Sequence, residues 1–264
     1  MNELDEMIRI AVAGCAVVNR HYAGAIHVDY KQGDDPVTAA DRETNELLCR
    51  ELQRAFPGVP IVAEESDAST FDARKNAPEC FFVDPIDGTR ELVARNGEFA
   101  VMLGLARGER AALGVVAKPV SGLVYAGGPG APSFVIDGGT RRPIATSGLE
   151  DRTRARAVVS RSRATPESHA ALARMGVARV EKLGSAGLKA IAIACGDADV
   201  WIQCGEAGLL WDACGPEAIA LGAGARYGVS GGKPPDYSSG ALEVRDLVVA
   251  ASDALFDAAL ASMQ

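Results

Sequence analysis

The chain has 264 residues and a mass of 27.4 kDa, enough for one large domain or two small ones. Its 48% hydrophobic and 23% charged residues are typical of a soluble globular protein, and a formal charge of −8 without a basic patch argues against nucleic acid polymers as partners. An anionic small substrate is compatible with this charge, because divalent metals reverse the local charge of an acidic site.

The first residues, MNELDEMIRIAVAGCAVV, carry acids where a signal peptide would carry bases. Their apolar positions have helical spacing and predict a first helix of about four to five turns. No apolar run is long enough to cross a bilayer. We therefore expect a cytoplasmic protein with no membrane partner.

A second helix is predicted from Asp41, with leucines 47, 48 and 52 on one face and an end before Pro57. The preceding segment, residues 33–40, is expected to be a turn and a loop. Asp41 is then either a functional carboxylate or only the N-cap of this helix.

Residues 60–63 form a short strand candidate that ends in Glu64 and Glu65. Adjacent carboxylates at a strand end are usually only solvated. They converge with the acids at positions 84 and 87 if this strand lies beside residues 80–83. The polar segment 67–78 is predicted to be a mobile surface loop.

The middle of the chain predicts an antiparallel meander, because turn residues separate strand-like runs. The runs are residues 98–106, 111–118 and 122–127, with 133–137 as a further candidate. Gly and Pro concentrate in residues 127–132 and 138–143. We therefore place a domain boundary after residue 137, which gives an N-terminal α+β domain (1–137) and a C-terminal α/β domain (138–264).

The second half alternates strand and helix signals, which predicts a mixed α/β domain. The strand candidates are residues 157–160, 178–183, 199–203 and 246–250, and the helix candidates are 166–175, 186–195, 212–223 and the segment after Ser252.

One stretch, residues 81–95 (FFVDPIDGTRELVAR), combines an apolar run, an acidic turn and a helix start. Pro85 is expected to end ladder hydrogen bonding after Asp84, and residues 90–94 suit a helix. Asp84 and Asp87 offer hard oxygen ligands across the turn, while the free N–H groups of the helix start suit an anion. Taken alone, Asp87 is equally well explained as a helix cap.

Other phosphate-handling signatures fail on spacing. No Cys is followed six positions later by an Arg, and GVSGGKP (228–234) has Pro where a P-loop needs Ser or Thr. Two residues separate Asp84 from Asp87, whereas the haloacid-dehalogenase motif has one. The six cysteines form no C-x-x-C pair, which favours reduced core thiols, and none of the three histidines lies near the acidic motifs.

Carboxylates at strand and helix ends remain as the candidates for chemistry. They are Asp41, Glu64, Glu65, Asp84, Asp87 and Asp212. Oxygen ligands favour Mg²⁺ or Mn²⁺, and acids gathered without basic partners repel one another unless cations neutralise them. The set therefore indicates a hydrolytic centre with two or three metal ions.

Four motifs occur in order, namely GDDPVTAAD (33–41), VAEES (62–66), VDPIDGT (83–89) and WDACGPEA (211–218). Together they resemble the lithium-sensitive, magnesium-dependent phosphatase superfamily that includes inositol monophosphatases. DGTREL followed by NGEFAV, GSAGLK (184–189) and WDACGPE are more similar to its 3'(2'),5'-bisphosphate nucleotidase branch. The resemblance implies a mixed α/β fold, a two-domain layered αβαβα sandwich with metals between the domains. We expect a monomer or homodimer.

The resemblance also implies roles by position. The metal ligands would be Glu64, Asp84, the Ile86 carbonyl, Asp87 and Asp212, holding two or three Mg²⁺ ions, with Mn²⁺ as a substitute. Asp41, Glu64 and Thr89 would orient and activate the attacking water. The substrate-binding residues would be Glu64, Ile86, Asp87, Gly88, Thr89, Ser160, Gly184, Ser185 and Asp212, and we add Lys189.

One position departs from the nucleotidase branch, which usually has His where this chain has Arg163. Arg163 either holds a second phosphate or is solvated. Lys189, together with Arg161 or Arg163, is a candidate for that second phosphate site, and a solvated helix residue is the alternative for Lys189.

These observations predict a small phosphorylated substrate and in-line hydrolysis without a covalent phosphoenzyme. The favoured reaction converts 3'-phosphoadenosine 5'-phosphate to AMP and phosphate. The alternative is an inositol monophosphatase or a related sugar-phosphate phosphatase. A non-catalytic metal- or phosphate-binding protein is more remote, because the carboxylate set is complete.

Overall fold

The computed structural model describes residues 2–31 and 36–264. In this part of the chain the α-helices are α1 (Glu3–Tyr22), α2 (Ala39–Ala55), α3 (Thr89–Val93), α4 (Pro166–Met175), α5 (Ala186–Ala194), α6 (Leu210–Gly222) and α7 (Asp253–Ser262). The strands are β1 (Val28–Tyr30), β2 (Pro36–Thr38), β3 (Ile61–Ala63), β4 (Glu79–Asp87), β5 (Ala100–Arg107), β6 (Arg110–Ala117), β7 (Val124–Gly128), β8 (Ala131–Asp137), β9 (Thr140–Pro143), β10 (Arg156–Ser160), β11 (Arg179–Leu183), β12 (Val200–Leu209), β13 (Arg226–Gly228) and β14 (Glu243–Ala250).

The first sheet has the strand order β3-β4-β5-β6-β7-β8-β9 and contains the predicted antiparallel meander. Only β3 and β4 pair in parallel, with Ile61 opposite Phe81. Because parallel strands end at the same edge, Glu64 after β3 and Asp84 in β4 come to one side of the sheet. This confirms that the strand before Glu64 lies beside residues 80–83.

The second sheet has the order β11-β10-β12-β14-β13. Strands β11 and β12 both pair in parallel with β10, whereas β14 pairs antiparallel with β12 and β13. A small ladder of β1 and β2 stands apart from both sheets. The mixed pairing agrees with the alternating strand and helix signals of the second half.

The layers follow from the packing of the helices. Helices α1 and α2 lie on the outer face of the first sheet, α5 and α6 lie between the two sheets, and α4 and α7 cover the outer face of the second. The order is therefore helix, sheet, helix, sheet, helix. No helix among the described residues is long and apolar enough to cross a bilayer.

Two glycines of the first sheet allow helix α6 to approach closely. A Cβ on Gly114 would lie 2.0 Å from the Gly215 carbonyl oxygen, and one on Gly104 would lie 2.6 Å from the backbone nitrogen of Gly215. Contacts this short are forbidden, so a side chain at either position would push α6 away from the sheet. Since α6 carries Asp212, these glycines also fix the position of that acid.

The structure corrects four local expectations. Part of the predicted loop 33–40 forms strand β2 and the start of α2, while residues 33–35 lie outside the described part of the chain. The predicted loop 67–78 contains a 3-10 helix, Ala68–Asn76, because buried Arg74 donates to the Ser239 carbonyl oxygen and anchors it. Strand β4 continues past Pro85 to Asp87, and helix α3 starts at Thr89 rather than at residue 90.

Strand β9 adds a hairpin to the first sheet where Gly and Pro suggested a boundary, so that sheet extends to residue 143. The division into 1–137 and 138–264 stays a prediction. All six cysteines are free thiols, as the sequence predicted.

Candidate active site

A cleft of about 620 Å³ opens where β3, β4 and α3 meet the ends of β10 and β12 and the starts of α5 and α6. Most of the sequence-predicted site residues line it, whereas Asp41, Glu65, Arg161 and Gly184 lie outside the lining. Those in the lining are Glu64, Asp84, Ile86, Asp87, Gly88, Thr89, Ser160, Ser185, Lys189 and Asp212. Segments from both sheets thus come together at one place.

Among the described residues, Asp84, Asp87 and Asp212 form a compact acidic group. Each offers a carboxylate oxygen, and these oxygens all lie within 4.8 Å of one another. Residues three apart on a regular strand point to opposite faces. Here the pairing of β4 shifts, with Asp84 opposite Met102 and Asp87 opposite Ala100, so the chain advances three residues against two. This irregularity lets both aspartates face the cleft.

Asp212 joins the group from the first turn of α6, where its Oδ2 accepts a hydrogen bond of 2.6 Å from the Leu209 backbone nitrogen. Burial, reinforced by Asp87, raises its pKa to about 7. Burial also raises the pKa of Asp84 well above its usual value, and Glu64, Asp87 and Asp212 add to that rise. Clustered oxygen donors whose charges oppose one another suit a hard divalent cation, so the residues present fit a metal of that class.

Glu64 lines the same cleft but lies outside the group of three. Its Oε1 accepts a hydrogen bond of 2.9 Å from Lys31 Nζ, and Lys31 also pairs with Glu65. Burial raises the pKa of Glu64 to about 7 against the opposing effect of the Lys31 ammonium. Glu65 does not line the cleft, so the structure separates the roles of the two adjacent acids.

Asp41 reaches the cleft through Thr89. The Thr89 hydroxyl donates to Asp41 Oδ1 at 2.9 Å and lies 3.3 Å from the Ile86 carbonyl oxygen. The other carboxylate oxygen of Asp41 accepts from the backbone and hydroxyl of Thr38. Thr38 is the N-cap of α2, and Asp41 is its partner in a capping box, so the interpretation of Asp41 as the N-cap is wrong.

Asp87 is held by the N-terminus of α5. Its carboxylate accepts from the Ser185 hydroxyl, from the Ala186 nitrogen at 3.0 Å and from the Gly187 nitrogen at 2.7 Å. The N-cap of α3 is instead Gly88, with φ 98° and no side-chain cap. The alternative that Asp87 only caps its own helix is therefore wrong, and its partners lie about a hundred residues away.

Lys189, which is 3% exposed, lines the same cleft as the acids. Its Nζ donates to the Ser185 carbonyl oxygen at 2.5 Å and lies 4.8 Å from the centre of the Trp201 ring. Burial lowers its pKa to about 8, while Asp87 and Glu91 oppose that change. The alternative of a solvated helix residue is wrong for Lys189.

The two candidate arginines differ in position. Arg163 lines the cleft, and its backbone nitrogen donates to the Ser160 hydroxyl at 3.0 Å. Arg161 lies outside the cleft lining and forms an ion pair with Glu98. A direct contact of Arg161 with a second phosphate is therefore not supported, and Arg163 with Lys189 is the pair that faces the cleft.

Sequence reasoning missed other residues of the cleft and its rim, among them Lys31, Glu91, Trp201 and Gln203. The period-two alternation of β12 puts Trp201 and Gln203 on one face, a signal that could have placed them together. Glu91 is buried, and burial raises the pKa of its carboxyl. No sequence signal marks Lys31, because its partners lie more than thirty residues away.

Comparison with known proteins gives a consistent family. A model described as the inositol monophosphatase family matches residues 2–263. The 3'(2'),5'-bisphosphate nucleotidase CysQ of Salmonella typhimurium is 32% identical over 237 residues, which cover 89% of this chain and 94% of that protein. CysQ of Escherichia coli K12 has the same identity and coverage.

Solved structures agree with this family at the level of the fold. An IMPase from Thermotoga maritima has a TM-score of 0.83 at 22% identity and covers 100% of this chain and 97% of its own. CysQ from Bacteroides thetaiotaomicron has a TM-score of 0.78 at 26% identity, covering 94% and 96%. The predicted layered sandwich of the inositol monophosphatase type is confirmed.

Proposed function

Because the chain belongs to the inositol monophosphatase family and is a phosphatase of that superfamily, we propose that it is a Mg²⁺-dependent, cytoplasmic 3'(2'),5'-bisphosphate nucleotidase. The reaction converts 3'-phosphoadenosine 5'-phosphate to AMP and phosphate. One observation carries the choice of substrate, namely a buried lysine, Lys189, in the same cleft as the acidic group. A substrate with two phosphates offers one to the acids' metals and another to this cation.

The residues that would hold Mg²⁺ are Glu64, Asp84, the Ile86 carbonyl, Asp87 and Asp212. When bound, divalent cations lower the pKa of water and neutralise charge on a phosphate. The mutual repulsion of these acids, which adds to the rise in the pKa of Asp84 and of Asp212, is the physical reason for metal binding, because bound cations relieve it.

Thr89 and Asp41 act on the attacking water. The Thr89 hydroxyl donates its hydrogen bond to Asp41, so the oxygen of that hydroxyl presents lone pairs and accepts a hydrogen bond from a neighbouring water, which orients the water. Glu64, at the same edge of the sheet, is the second carboxylate that orients this water. The N–H groups of Gly88 and Thr89 bind the scissile phosphate.

The rest of the substrate lies against the wall formed by the end of β10 and the start of α5. The Lys189 ammonium and the Arg163 guanidinium attract the second phosphate, and Ser160 and Ser185 contact the nucleoside. Inositol 1-phosphate has no second phosphate and gains nothing from these cations.

Substrate profiling tests this proposal. We expect a higher kcat/KM for 3'-phosphoadenosine 5'-phosphate than for inositol 1-phosphate. Lys189→Ala should lower the ratio of these two kcat/KM values by about tenfold or more. Lys182→Ala, an exposed lysine on β11, is the matched control and should leave both efficiencies unchanged. If the wild type has equal kcat/KM values for the two substrates, or a higher value for inositol 1-phosphate, the protein is instead an inositol or sugar-phosphate phosphatase.

The second candidate is an inositol or sugar-phosphate phosphatase. Arg163 favours it, since this position usually carries His in the nucleotidase branch. Absence of turnover on every phosphomonoester in the presence of Mg²⁺ would instead favour a non-catalytic binding protein.

A further inference from the structure

Glu98 is the acceptor of a three-bond cluster just behind the cleft. Its carboxylate accepts from Arg161 Nε at 2.7 Å, from Arg161 Nη2 at 2.5 Å and from the backbone nitrogen of Gly184 at 2.7 Å. The Arg161 hydrogen bonds are the main reason that the pKa of Glu98 lies below its usual value. A carboxylate bound by both a guanidinium fork and a backbone N–H has its orientation fixed from two sides.

The three residues lie next to three separate segments that line the cleft. Glu98 follows α3, whose first residue is Thr89. Arg161 lies between Ser160 and Arg163, and Gly184 precedes the start of α5. Neither Glu98 nor Arg161 lines the cleft. The cluster therefore connects the segments that face the substrate without itself touching it.

Further hydrogen bonds make each attachment rigid. Arg161 Nη2 also donates to the Lys182 carbonyl oxygen at 2.9 Å, and the Arg161 backbone nitrogen donates to the Leu183 carbonyl oxygen at 3.1 Å. The Glu98 nitrogen donates to the Asn96 side chain at 2.9 Å. Gly184 has no room for a side chain, since a Cβ there would lie 2.4 Å from the Glu91 side chain.

A surface ion pair contributes little to stability, and Arg161 is 42% exposed on its side chain. The value of this pair is therefore geometric. It sets the distance between the segment of residues 160–163, which belongs to the second sheet, and the turn after α3, which belongs to the first.

We propose that Glu98 and Arg161 are positioning residues. They hold two segments that carry cations and hydroxyls, residues 160–163 and the start of α5, at the spacing that a bound substrate needs. The identity of the substrate rests on the proposed function, whereas the positioning role does not depend on which substrate binds. Loss of the cluster lets the 160–163 segment move relative to α3 and to the start of α5, which weakens binding of the substrate's organic part. The start of α5 stays in place because Ser185, Ala186 and Gly187 still donate to Asp87, so the acids and their metals are unaffected.

The test compares Glu98→Gln, Arg161→Gln, the double variant and Arg161→Lys with the wild type. The matched control is Glu79→Gln, which breaks the exposed Arg107–Glu79 ion pair of the first sheet, 2.7 Å long. The readouts are the melting temperature, the Mg²⁺ concentration for half-maximal rate, and kcat and KM on the substrate for which the wild type has the highest kcat/KM. Arg161→Lys keeps the charge but loses the planar fork.

We expect KM to rise about tenfold in each single variant, with kcat and the Mg²⁺ dependence within about twofold of wild type. The double variant should be no worse than the poorer single variant, because both remove one unit. Arg161→Lys should raise KM as well, and it replaces Arg161→Gln if that variant fails to fold. Unchanged KM, additive losses, or a fall in kcat alone would overturn the proposal.

The proposed function is tested separately by the wild-type preference. If the wild type prefers inositol 1-phosphate, the nucleotidase assignment fails while the positioning role is still measured on that substrate. If KM does not respond to either variant on the preferred substrate, the positioning role fails whatever that substrate is.

Discussion

The Thr89 hydroxyl donates a hydrogen bond of 2.9 Å to Asp41, a carboxylate 48 residues earlier in the chain. Asp41 is buried and uses its two oxygens differently, one for the cap of α2 and one for Thr89. The same residue therefore stabilises a helix start and fixes a hydroxyl at the cleft. Replacing Asp41 would confound the two roles, whereas replacing Thr89 separates them.

We expect Thr89→Val to lower kcat by about 100-fold or more, because an isosteric side chain without the hydroxyl cannot accept the hydrogen bond that orients the water. The melting temperature should fall by only a few degrees, since about 1 kcal/mol of one hydrogen bond is lost. Thr89→Ser should retain most activity. Thr70→Val, which removes an exposed hydroxyl bonded to the Asp67 carbonyl oxygen, is the control. Near-normal kcat in Thr89→Val would assign Thr89 a structural role.

Regular spacing and local caps made most of the fold predictable. Apolar residues at helical intervals gave α1 and α2, and the helix candidate 166–175 coincides with α4. The acids were predictable too, because they stand at strand and helix ends in four ordered motifs. The missing parts depend on distant partners: Arg74 anchors its segment to Ser239, 165 residues away, and Glu98 meets Gly184, 86 residues away. Strand β2 has three residues, too few to show alternation.

The acidic group leads to a metal prediction. Activity should require Mg²⁺, be lost in chelator, and return on addition of Mg²⁺ or Mn²⁺. At a Mg²⁺ concentration about 100 times the dissociation constant, binding should stabilise the fold by about 2.7 kcal/mol, seen as a higher melting temperature. The family resemblance adds inhibition by Li⁺ and by excess Ca²⁺. Full turnover in chelator, or rescue by Zn²⁺ alone, would contradict this centre.

Asp212→Asn and Asp87→Asn should both lower kcat by about 100-fold or more, since each removes a ligand charge. Their effects on the metal-free fold should differ. One oxygen of Asp212 accepts a hydrogen bond from the Leu209 nitrogen, and an Asn at this position retains that acceptor. Both oxygens of Asp87 accept hydrogen bonds, so an Asn at position 87 places its NH₂ group against a backbone N–H donor.

The raised pKa of Asp212 determines how its replacement changes the stability of the metal-free protein. The pKa of Asp212, about 7 in the fold, is above its ordinary 3.8, so the native state holds the proton more tightly and stability falls as pH rises between these values. At pH 8 in chelator we expect a higher melting temperature for Asp212→Asn than for wild type, and a lower one for Asp87→Asn. Equal losses in both variants would show that repulsion in the group is unimportant.

Lys31 is the internal counter-ion of Glu64 and Glu65. Lys31→Met should tighten Mg²⁺ binding roughly fivefold in a calorimetric titration, because a nearby positive charge opposes a cation. The metal-free protein should melt at a lower temperature, since two carboxylates lose their partner. Lys75→Met, which breaks the Lys75–Asp72 pair, is the control. Weaker Mg²⁺ binding would mean that Lys31 assists the metal instead of competing with it.

Glu217, which lies on α6 five residues after Asp212, gives a second pH effect. The Tyr237 hydroxyl donates to its Oε2 at 2.5 Å, and both side chains are buried. Burial raises the pKa of Glu217 to about 7 from an ordinary 4.5. The folded state therefore binds the proton more tightly than the unfolded state, and stability is lost as pH rises from about 4.5 to about 7.

Glu217→Gln removes this titration and keeps an oxygen that accepts from Tyr237. Relative to wild type, the variant should gain on the order of 3 kcal/mol in free energy of unfolding at pH 8, and close to nothing at pH 4.5. Urea unfolding at the two pH values, with exposed Glu150→Gln as the control, measures the difference. The same ΔΔG at both pH values, or a loss that grows with pH, would show that Glu217 is ionised in the folded protein and that Tyr237 stabilises its charge.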